Sequence, residues 1–368
     1  MPSPAQKFFL SPPLRPLLSA FADIGHRRVL RNSIDPIRLP VPVISVGNIT
    51  FGGTSKTPMV EFLARQYSGR GLLPGIVTRG YLGEIDRKRL PPEIVSDGSR
   101  VLLDWTTSGD EARQLAESLL PHRVPVAVGR DRVTASKILI DRFNIDLIIL
   151  DDGFQFTGIH RDLDLVLIDS LAPFGRYDTG LGILREPVTA LSRADSIVLT
   201  HTDAVDVSRI DEIHRVLADH VSPLPRIINA RTLVRRIGHY GNGQVEDIQS
   251  LSDSSVTAFA GIANPLGFER TIGNMGCKLT RLFEYPDHHS YSASNLRRVN
   301  RFAEAQNADY ILTTSKDAVR LNGHTSVLTI PLRIVEIELE ICEGSAQILS
   351  GAIIDNKNHQ PITIPTIQ

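Results

Sequence analysis

From residue 42 onward, short apolar runs alternate with segments of helical periodicity, the arrangement expected of a parallel α/β sheet. Val43–Val46 reads as a strand, and 58–70 as the helix that follows a Gly-rich loop. A second strand is predicted over Gly75–Thr78. Residues 80–108 are loop-rich and too long for a simple connection, which makes them a functional candidate. The pattern then predicts a helix over 110–120, a strand over 124–128 and a helix over Arg132–Phe143. Leu147–Leu150, Leu165–Ile168 and Ser196–Thr200 are almost continuously apolar, as strands covered on both faces should be.

Between about Asp206 and Gly241 the periodicity loosens into a helix and an extended basic segment, where a domain boundary is expected. A second alternation follows, with strands at 256–260, 278–283 and 310–313 and helices at 265–275 and 293–306. Val327–Leu339 is extended again and is a candidate partner for 226–236 in a two-stranded connector. The predicted fold class is α/β: a P-loop, Rossmann-like parallel-sheet domain plus a smaller α/β domain joined by that connector. The expected division is an N-terminal segment at 1–40, the P-loop domain at 41–222, the connector at 223–240 and the smaller domain at 241–325, with the return connector and C-terminal segment at 326–368.

Thr50-Phe51-Gly52-Gly53-Thr54-Ser55-Lys56-Thr57 lies between the first strand and its helix, where a phosphate-binding loop belongs. Gly52 and Gly53 let successive N–H groups turn toward phosphate oxygens. Lys56 brings a positive charge to the β- and γ-phosphates of ATP, and the Thr57 hydroxyl is a candidate Mg²⁺ ligand. The simplest pattern, G-x(4)-G-K-[ST], wants Gly at both Thr50 and Ser55, and a non-Gly residue at positive φ costs on the order of 1 kcal/mol. Some 95 residues on, Leu147–Leu150 runs into Asp151 and Asp152, a strand ending in two carboxylates that can hold Mg²⁺ beside a nucleotide. Capping of the following turn is the alternative for both.

Charge and composition narrow the partners. A formal net charge of -1 argues against a general nucleic-acid binder. Two cysteines without metal-ligand spacing fit a reducing compartment. No run of about 18 apolar residues predicts a membrane-spanning helix. Residues 8–30 nevertheless mix Phe8, Phe9, Leu10, Leu14, Leu17, Leu18 and Phe21 with basic residues, and residues 1–40 hold six Lys/Arg against Asp23 and Asp35. An interfacial amphipathic helix has this character, and so has a helix packed on the protein body.

Several short motifs then follow one another in fixed order. They are Val46–Thr50, Thr78–Tyr81, Val95–Gly98, Gly109–Ala112, Val128–Arg132, Asp151–Gln155, Leu184–Pro187, Pro286–His289 and Ser315–Val319. Together with the P-loop they resemble the tetraacyldisaccharide 4'-kinases of lipid A biosynthesis, across most of the chain. That resemblance implies transfer of the ATP γ-phosphate to the 4'-hydroxyl of a tetraacylated glucosamine disaccharide 1-phosphate, giving the bis-phosphorylated lipid A precursor. It implies two α/β domains with the site in the cleft between them, a peripheral enzyme at the cytoplasmic face of the bacterial inner membrane, and ATP with Mg²⁺. It also favours the interfacial reading of the N-terminus, because the acyl chains keep the acceptor in the bilayer.

A sugar hydroxyl near neutral pH needs a base or an orienting group. The resemblance implies a catalytic pair formed by Asp110 and His288, with helix capping as the alternative for Asp110. Arg185 and Glu186 are candidates for the transferring phosphate and the metal respectively. Arg79, Arg130, Arg132 and Gln155 are candidates for contacts with the acceptor or nucleotide phosphates. Lys316 and Asp317, in the last of these motifs, read equally as helix-start residues. Departures from the family pattern are Ser55 for Gly, Phe156 where His is usual, and Ser315 where Glu is common. The competing functional readings are a P-loop ATPase switch or metallochaperone, and a catalytically weakened regulator of the same family.

Overall fold

The computed structural model describes residues 22, 23, 25–27, 29, 35–174, 184–321, 323–342, 354, 355, 360 and 361. Most of the expected N-terminal interfacial helix and of the C-terminal segment lies outside these residues.

The first half forms strands β1 (Val43–Asn48), β2 (Pro74–Thr78), β3 (Glu93–Ser96), β4 (Val126–Val128), β5 (Leu147–Asp151), β6 (Leu163–Asp169) and β7 (Ser196–Thr200). Their order runs β7-β6-β1-β5-β2-β4-β3, parallel except for β3 at the edge. Every residue of β1, β2, β5, β6 and β7 is buried, which explains their unbroken apolar runs. Helices α1 (Lys56–Ser68) and α2 (Asp110–Leu119) close one face, through Met59, Leu63, Tyr67, Leu115 and Leu119. On the other face, α3 (Arg132–Phe143) inserts Ala135 and Leu139, and α4 (Val207–His220) inserts Ile213 and Leu217. The Asp131 carboxylate caps α3 by accepting from Thr134 N at 3.0 Å, so the predicted start coincides with the observed one.

The second half consists of β8 (Arg226–His239), β9 (Val245–Glu246), β10 (Ser255–Ala260), β11 (Lys278–Glu284), β12 (Tyr310–Thr314) and β13 (Leu332–Ile341). Helices α5 (Pro265–Asn274) and α6 (Ala293–Ala305) cover its two faces through Phe268 and Ile272, and through Leu296 and Val299. The connector pairing expected between 226–236 and 327–339 is present: β8 and β13 run antiparallel from Arg333↔His239 to Ile341↔Ala230. These strands also continue the sheet rather than merely linking two bodies. β7 pairs with β8 and β12 with β13, giving one thirteen-stranded sheet among the described residues. Leu339 and Ala230 share a core with α1. The long stretch 80–108 is not structureless, for it holds β3 and short helices at Glu84–Lys88 and Trp105–Ser108.

β1 lies between β5 and β6, and the chain leaves it toward α1, so the loop after β1 opens at a topological switch point of the sheet.

Candidate active site

The loop from Thr50 to Ser55 is held from below by Asn48, whose Nδ2 donates to Thr54 Oγ1 at 2.9 Å. Gly52 has a φ of 114° and would meet nothing within 4 Å if it carried a Cβ, so its conformation, not crowding, demands Gly. Ser55 is left-handed, at φ 62° and ψ 29°, and its side chain makes no capping bond. The departure at Ser55 therefore falls on a strained backbone position. Lys56, the first residue of α1, places Nζ 3.6 Å from Asp152 Oδ1, and Thr57 follows beside the cradle.

Register puts Asp151 opposite Val46, one strand from the root of the loop. Asp151 Oδ2 accepts from Thr78 Oγ1 at 2.9 Å, while Oδ1 is buried and has no hydrogen-bond partner. Burial first, then the charges of Glu111 and Asp152, push the Asp151 carboxyl up from its ordinary value. A buried oxygen without a donor, between the P-loop strand and the Thr78 strand, is the environment a cation would complete. Asp152 differs. Arg185 Nη1 donates to both its oxygens at 2.8 Å. Burial would raise this carboxyl, but Lys56 and Arg185 hold it far below the usual range. The residues thus fit Mg²⁺ bound chiefly through nucleotide oxygens, Thr57 and Asp151. Among the described residues no group of three or more His, Cys, Asp or Glu stands ready to hold a metal alone.

Glu186, expected at the metal, has another occupation. Oε1 accepts from Arg193 Nη2 at 3.0 Å and Gln155 Nε2 at 3.1 Å. Oε2 takes Arg193 Nη1 at 3.0 Å and His26 Nδ1 at 2.8 Å. All four lone-pair directions are filled by the chain's own side chains and the carboxylate is fully buried, so Glu186 anchors this corner of the cleft. It ties the N-terminal segment to the Leu184–Pro187 motif. Arg185, its neighbour, stacks over Phe51 at 5.1 Å and so reaches the cradle directly.

Asp110 opens α2, and the position in front of it demands Gly: Gly109 has φ 90°, and a Cβ there would meet Gly80 C and Tyr81 O at 2.9 Å. Asp110 is thus not the cap residue; its Oδ1 accepts only from the next N–H, Glu111 N, at 2.9 Å. Its Oδ2 lies 2.8 Å from His288 Nδ1, from the loop after β11. Burial would raise the Asp110 carboxyl, but the bond to His288 and the charges of Lys316 and Arg320 hold it below its ordinary value. An ionised carboxylate only accepts, so His288 Nδ1 carries the proton in this pair. His288 itself sits at φ 61°, edge-on to the Tyr81 ring with centroids 5.6 Å apart. Both candidates come together from positions 178 residues apart.

The phosphate-contact candidates divide. Arg79 and Arg130 both bond Asp86 Oδ1, at 2.9 and 2.6 Å, and remain part-exposed on the cleft wall. Arg132 is buried, reaches the Asp152 carbonyl at 3.5 Å and stacks over Phe156 at 5.1 Å, which occupies the place usual for His. Gln155 donates to the Asn48 carbonyl at 2.8 Å, bracing the loop from the acidic strand. All face one cleft of about 1290 Å³ whose walls include Lys56, Arg79, Glu111, Arg185, His288 and Lys316.

The sequence matches the Tetraacyldisaccharide-1-P 4'-kinase family over residues 8–354. Among curated relatives, the tetraacyldisaccharide 4'-kinase of Syntrophus aciditrophicus (strain SB) is 36% identical over 314 residues, spanning 83% of this chain and 82% of that protein. The chain belongs to the tetraacyldisaccharide-1-P 4'-kinase family. Another relative of that name, from Anaeromyxobacter sp. (strain K), is 32% identical over 346 residues, covering 92% of this chain and 89% of the other. In fold, the chain is similar to the crystal structure of LpxK from Aquifex aeolicus in complex with ATP, with a TM-score of 0.68 and 24% identity over 94% and 97% of the two chains. Family membership favours the kinase over the ATPase-switch reading.

Sequence reasoning missed Arg320, His26 and Arg193. Arg320 is fully buried, donating to the Gly261 carbonyl at 2.9 Å and to Asp317 Oδ1 at 2.7 Å, with Nε 3.6 Å from Asp110 Oδ2. It lies just past the Ser315–Val319 motif, and an arginine there gives no signal of its own.

Proposed function

We propose that the chain transfers the γ-phosphate of ATP to the 4'-hydroxyl of a tetraacylated glucosamine disaccharide 1-phosphate, with Asp110 and His288 handling the hydroxyl proton. The observation that carries this is the part-buried 2.8 Å contact between them, with His288 lining the same cleft as the P-loop. Asp110, kept ionised by its cationic surroundings, accepts or orients the acceptor proton. His288 holds the carboxylate in place through Nδ1 and spreads the charge that gathers on it. Lys56 and Arg185 offset negative charge at the transferring phosphoryl group. MgATP supplies that group, and Thr57 and Asp151 are the residues to hold the metal.

Arg79 and Arg130 are the candidates for the acceptor's 1-phosphate, since each keeps donors free of Asp86 on the cleft wall. The acyl chains place the work at a membrane surface, the cytoplasmic face of the inner membrane. Among the described residues no helix is long and apolar enough to cross a membrane. The apolar and basic residues of 8–30 suit an interfacial contact.

The test is incubation of purified protein with ATP, Mg²⁺ and the tetraacyl disaccharide 1-phosphate in detergent. A product one phosphate heavier, modified at the 4' position, is expected. ATP hydrolysis by folded protein with no phosphorylated glycolipid would overturn the assignment and favour a nucleotide switch.

A further inference from the structure

Lys316 follows Thr314 at the end of β12, on the short helix Ser315–Ala318. Its Nζ lies 3.4 Å from Glu111 Oε1 and 3.2 Å from Asp287 Oδ1. Glu111 is the residue after Asp110, and Asp287 the residue before His288. One ammonium therefore joins the two segments that carry the reacting pair, the first from α2 beneath the P-loop half of the sheet and the second from the other half. We propose that Lys316 is a positioning residue for phosphoryl transfer, tying Glu111 to Asp287 so that Asp110 and His288 stay in register across the cleft. The inference rests on the kinase reading above.

Surface ion pairs contribute about 0–1 kcal/mol and usually position nothing. Lys316 is different in its mounting. Only 19% of its side chain is exposed, and its backbone is fixed from behind. Arg320 Nε donates to the Lys316 carbonyl at 3.1 Å. Asp317, fully buried, accepts from Gly261 N at 2.9 Å, Tyr291 OH at 2.7 Å, Thr314 Oγ1 at 2.6 Å and Arg320. Four donors converging on one buried carboxylate hold its neighbours in one arrangement. The lysine is aimed from a rigid base at two carboxylates that belong to different elements, which is what holding a register requires. Arg320 reaches Asp110 itself from the second half, at 3.6 Å, while Lys316 ties the residues on either side of the pair, Glu111 and Asp287.

Methionine at 316 keeps the stem and removes the charge. Glu111 and Asp287 then repel each other beside Asp110, and the pair loosens. Misplacement of reacting groups by about 1 Å can lower turnover about 10²-fold. Lys316→Met should lower kcat by about 10- to 100-fold while KM for MgATP stays within about twofold. Lys316→Arg should recover part of that loss. The groups facing Asp110 are His288, Lys316, Arg320 and Glu111. Removing one cation raises the Asp110 carboxyl, so the acid limb of kcat/KM for the acceptor should move to higher pH in Lys316→Met and less in Lys316→Arg.

Wild-type enzyme assayed alongside separates the two levels: no product from it sinks the kinase reading, not this one. A Lys316→Met protein with wild-type kcat and an unmoved acid limb overturns the positioning role. So does a Lys316→Arg protein no more active than Lys316→Met. Should Lys316→Met fail to fold, Asp287→Asn cuts the same tie from the loop side. A kcat unchanged in that variant overturns the proposal, and a fall of about fivefold or more supports it.

Discussion

Two buried aspartates beside this cleft share a residue type and little else. Asp110 is surrounded by His288, Lys316 and Arg320, and its carboxyl is held below the ordinary value despite burial. Asp151 has a hydroxyl on one oxygen and nothing on the other, and its carboxyl is raised by burial and by neighbouring carboxylates. Environments that push like groups apart mark different tasks. In the roles proposed above, the Asp110 corner is completed by the protein, as suits a base that must be charged before substrate arrives. The Asp151 corner leaves one carboxylate oxygen without a donor, as suits a metal ligand that gains its partner with the nucleotide.

Replacing each residue by Asn should therefore give unlike results. Asp110→Asn removes the base and should lower kcat by about 10³-fold, within the range for general-base catalysis. It also leaves His288 and Arg320 short of a partner, so the ligand-free protein should lose about 1–3 kcal/mol of stability. Steady-state kinetics and thermal melting read both effects. Near-wild-type turnover would remove Asp110 from the mechanism. Asp151→Asn should reduce kcat by about 10²-fold and abolish most of the Tm gain that MgATP gives wild type. Without ligand, however, Asp151→Asn should melt no lower than wild type, because an unpaired buried charge has been removed. A ligand-free Tm falling as far as that of Asp110→Asn would erase the distinction between the two corners.

The same contrast has a pH signature. Asp151's carboxyl is raised above its unfolded value of about 3.9, so its contribution to stability is fully present below that value and is lost as pH rises through the raised one. Asp110's is lowered: its contribution is present above about 3.9 and lost as pH falls through the folded value. Of these two carboxylates, only Asp151 should change the melting of the ligand-free protein between pH 5 and 8. The Tm advantage of Asp151→Asn over wild type should grow across that window, and so should the wild-type Tm gain from MgATP, since metal and proton compete for one carboxylate. Flat differences would show that Asp151 is charged and compensated throughout.

What was legible in the sequence follows the same divide. The cradle, the acidic strand end and most of the parallel strands announce themselves through local order and apolar runs, because each is built from neighbours in the chain. The connector pairing of β8 with β13 could be anticipated from two extended segments, though not that it would fuse both halves into one sheet. Glu186 shows where local reading stops. Its place in the Leu184–Pro187 motif suggests a metal ligand, and gives no hint that Arg193, Gln155 and His26 reach it from three separate elements. Arg320 was invisible for the same reason, as its meaning lies in Asp317, Gly261 and Asp110. Asp110 and His288 came from family resemblance; no spacing along the chain could have joined them.

The smallest expected effect tests the cradle itself. Ser55 stands left-handed at φ 62°, a conformation that Gly adopts freely and that costs other residues about 1 kcal/mol. Its hydroxyl caps nothing at the start of α1, so its loss removes no bond there. Against the relieved strain stands the greater freedom of Gly in the unfolded chain, which returns roughly 0.5 kcal/mol. Ser55→Gly should therefore raise Tm by about 1–2 °C, small for a chain of this size. KM for ATP should hold within about twofold, because the N–H groups at Gly52 and Gly53 keep their directions. A lower Tm would mean that the hydroxyl has a partner in the folded loop, and a large rise in KM that Ser55 itself touches the nucleotide. Either result would move the cradle from a structure set by its backbone to one set, like the Asp110 corner, by its side chains.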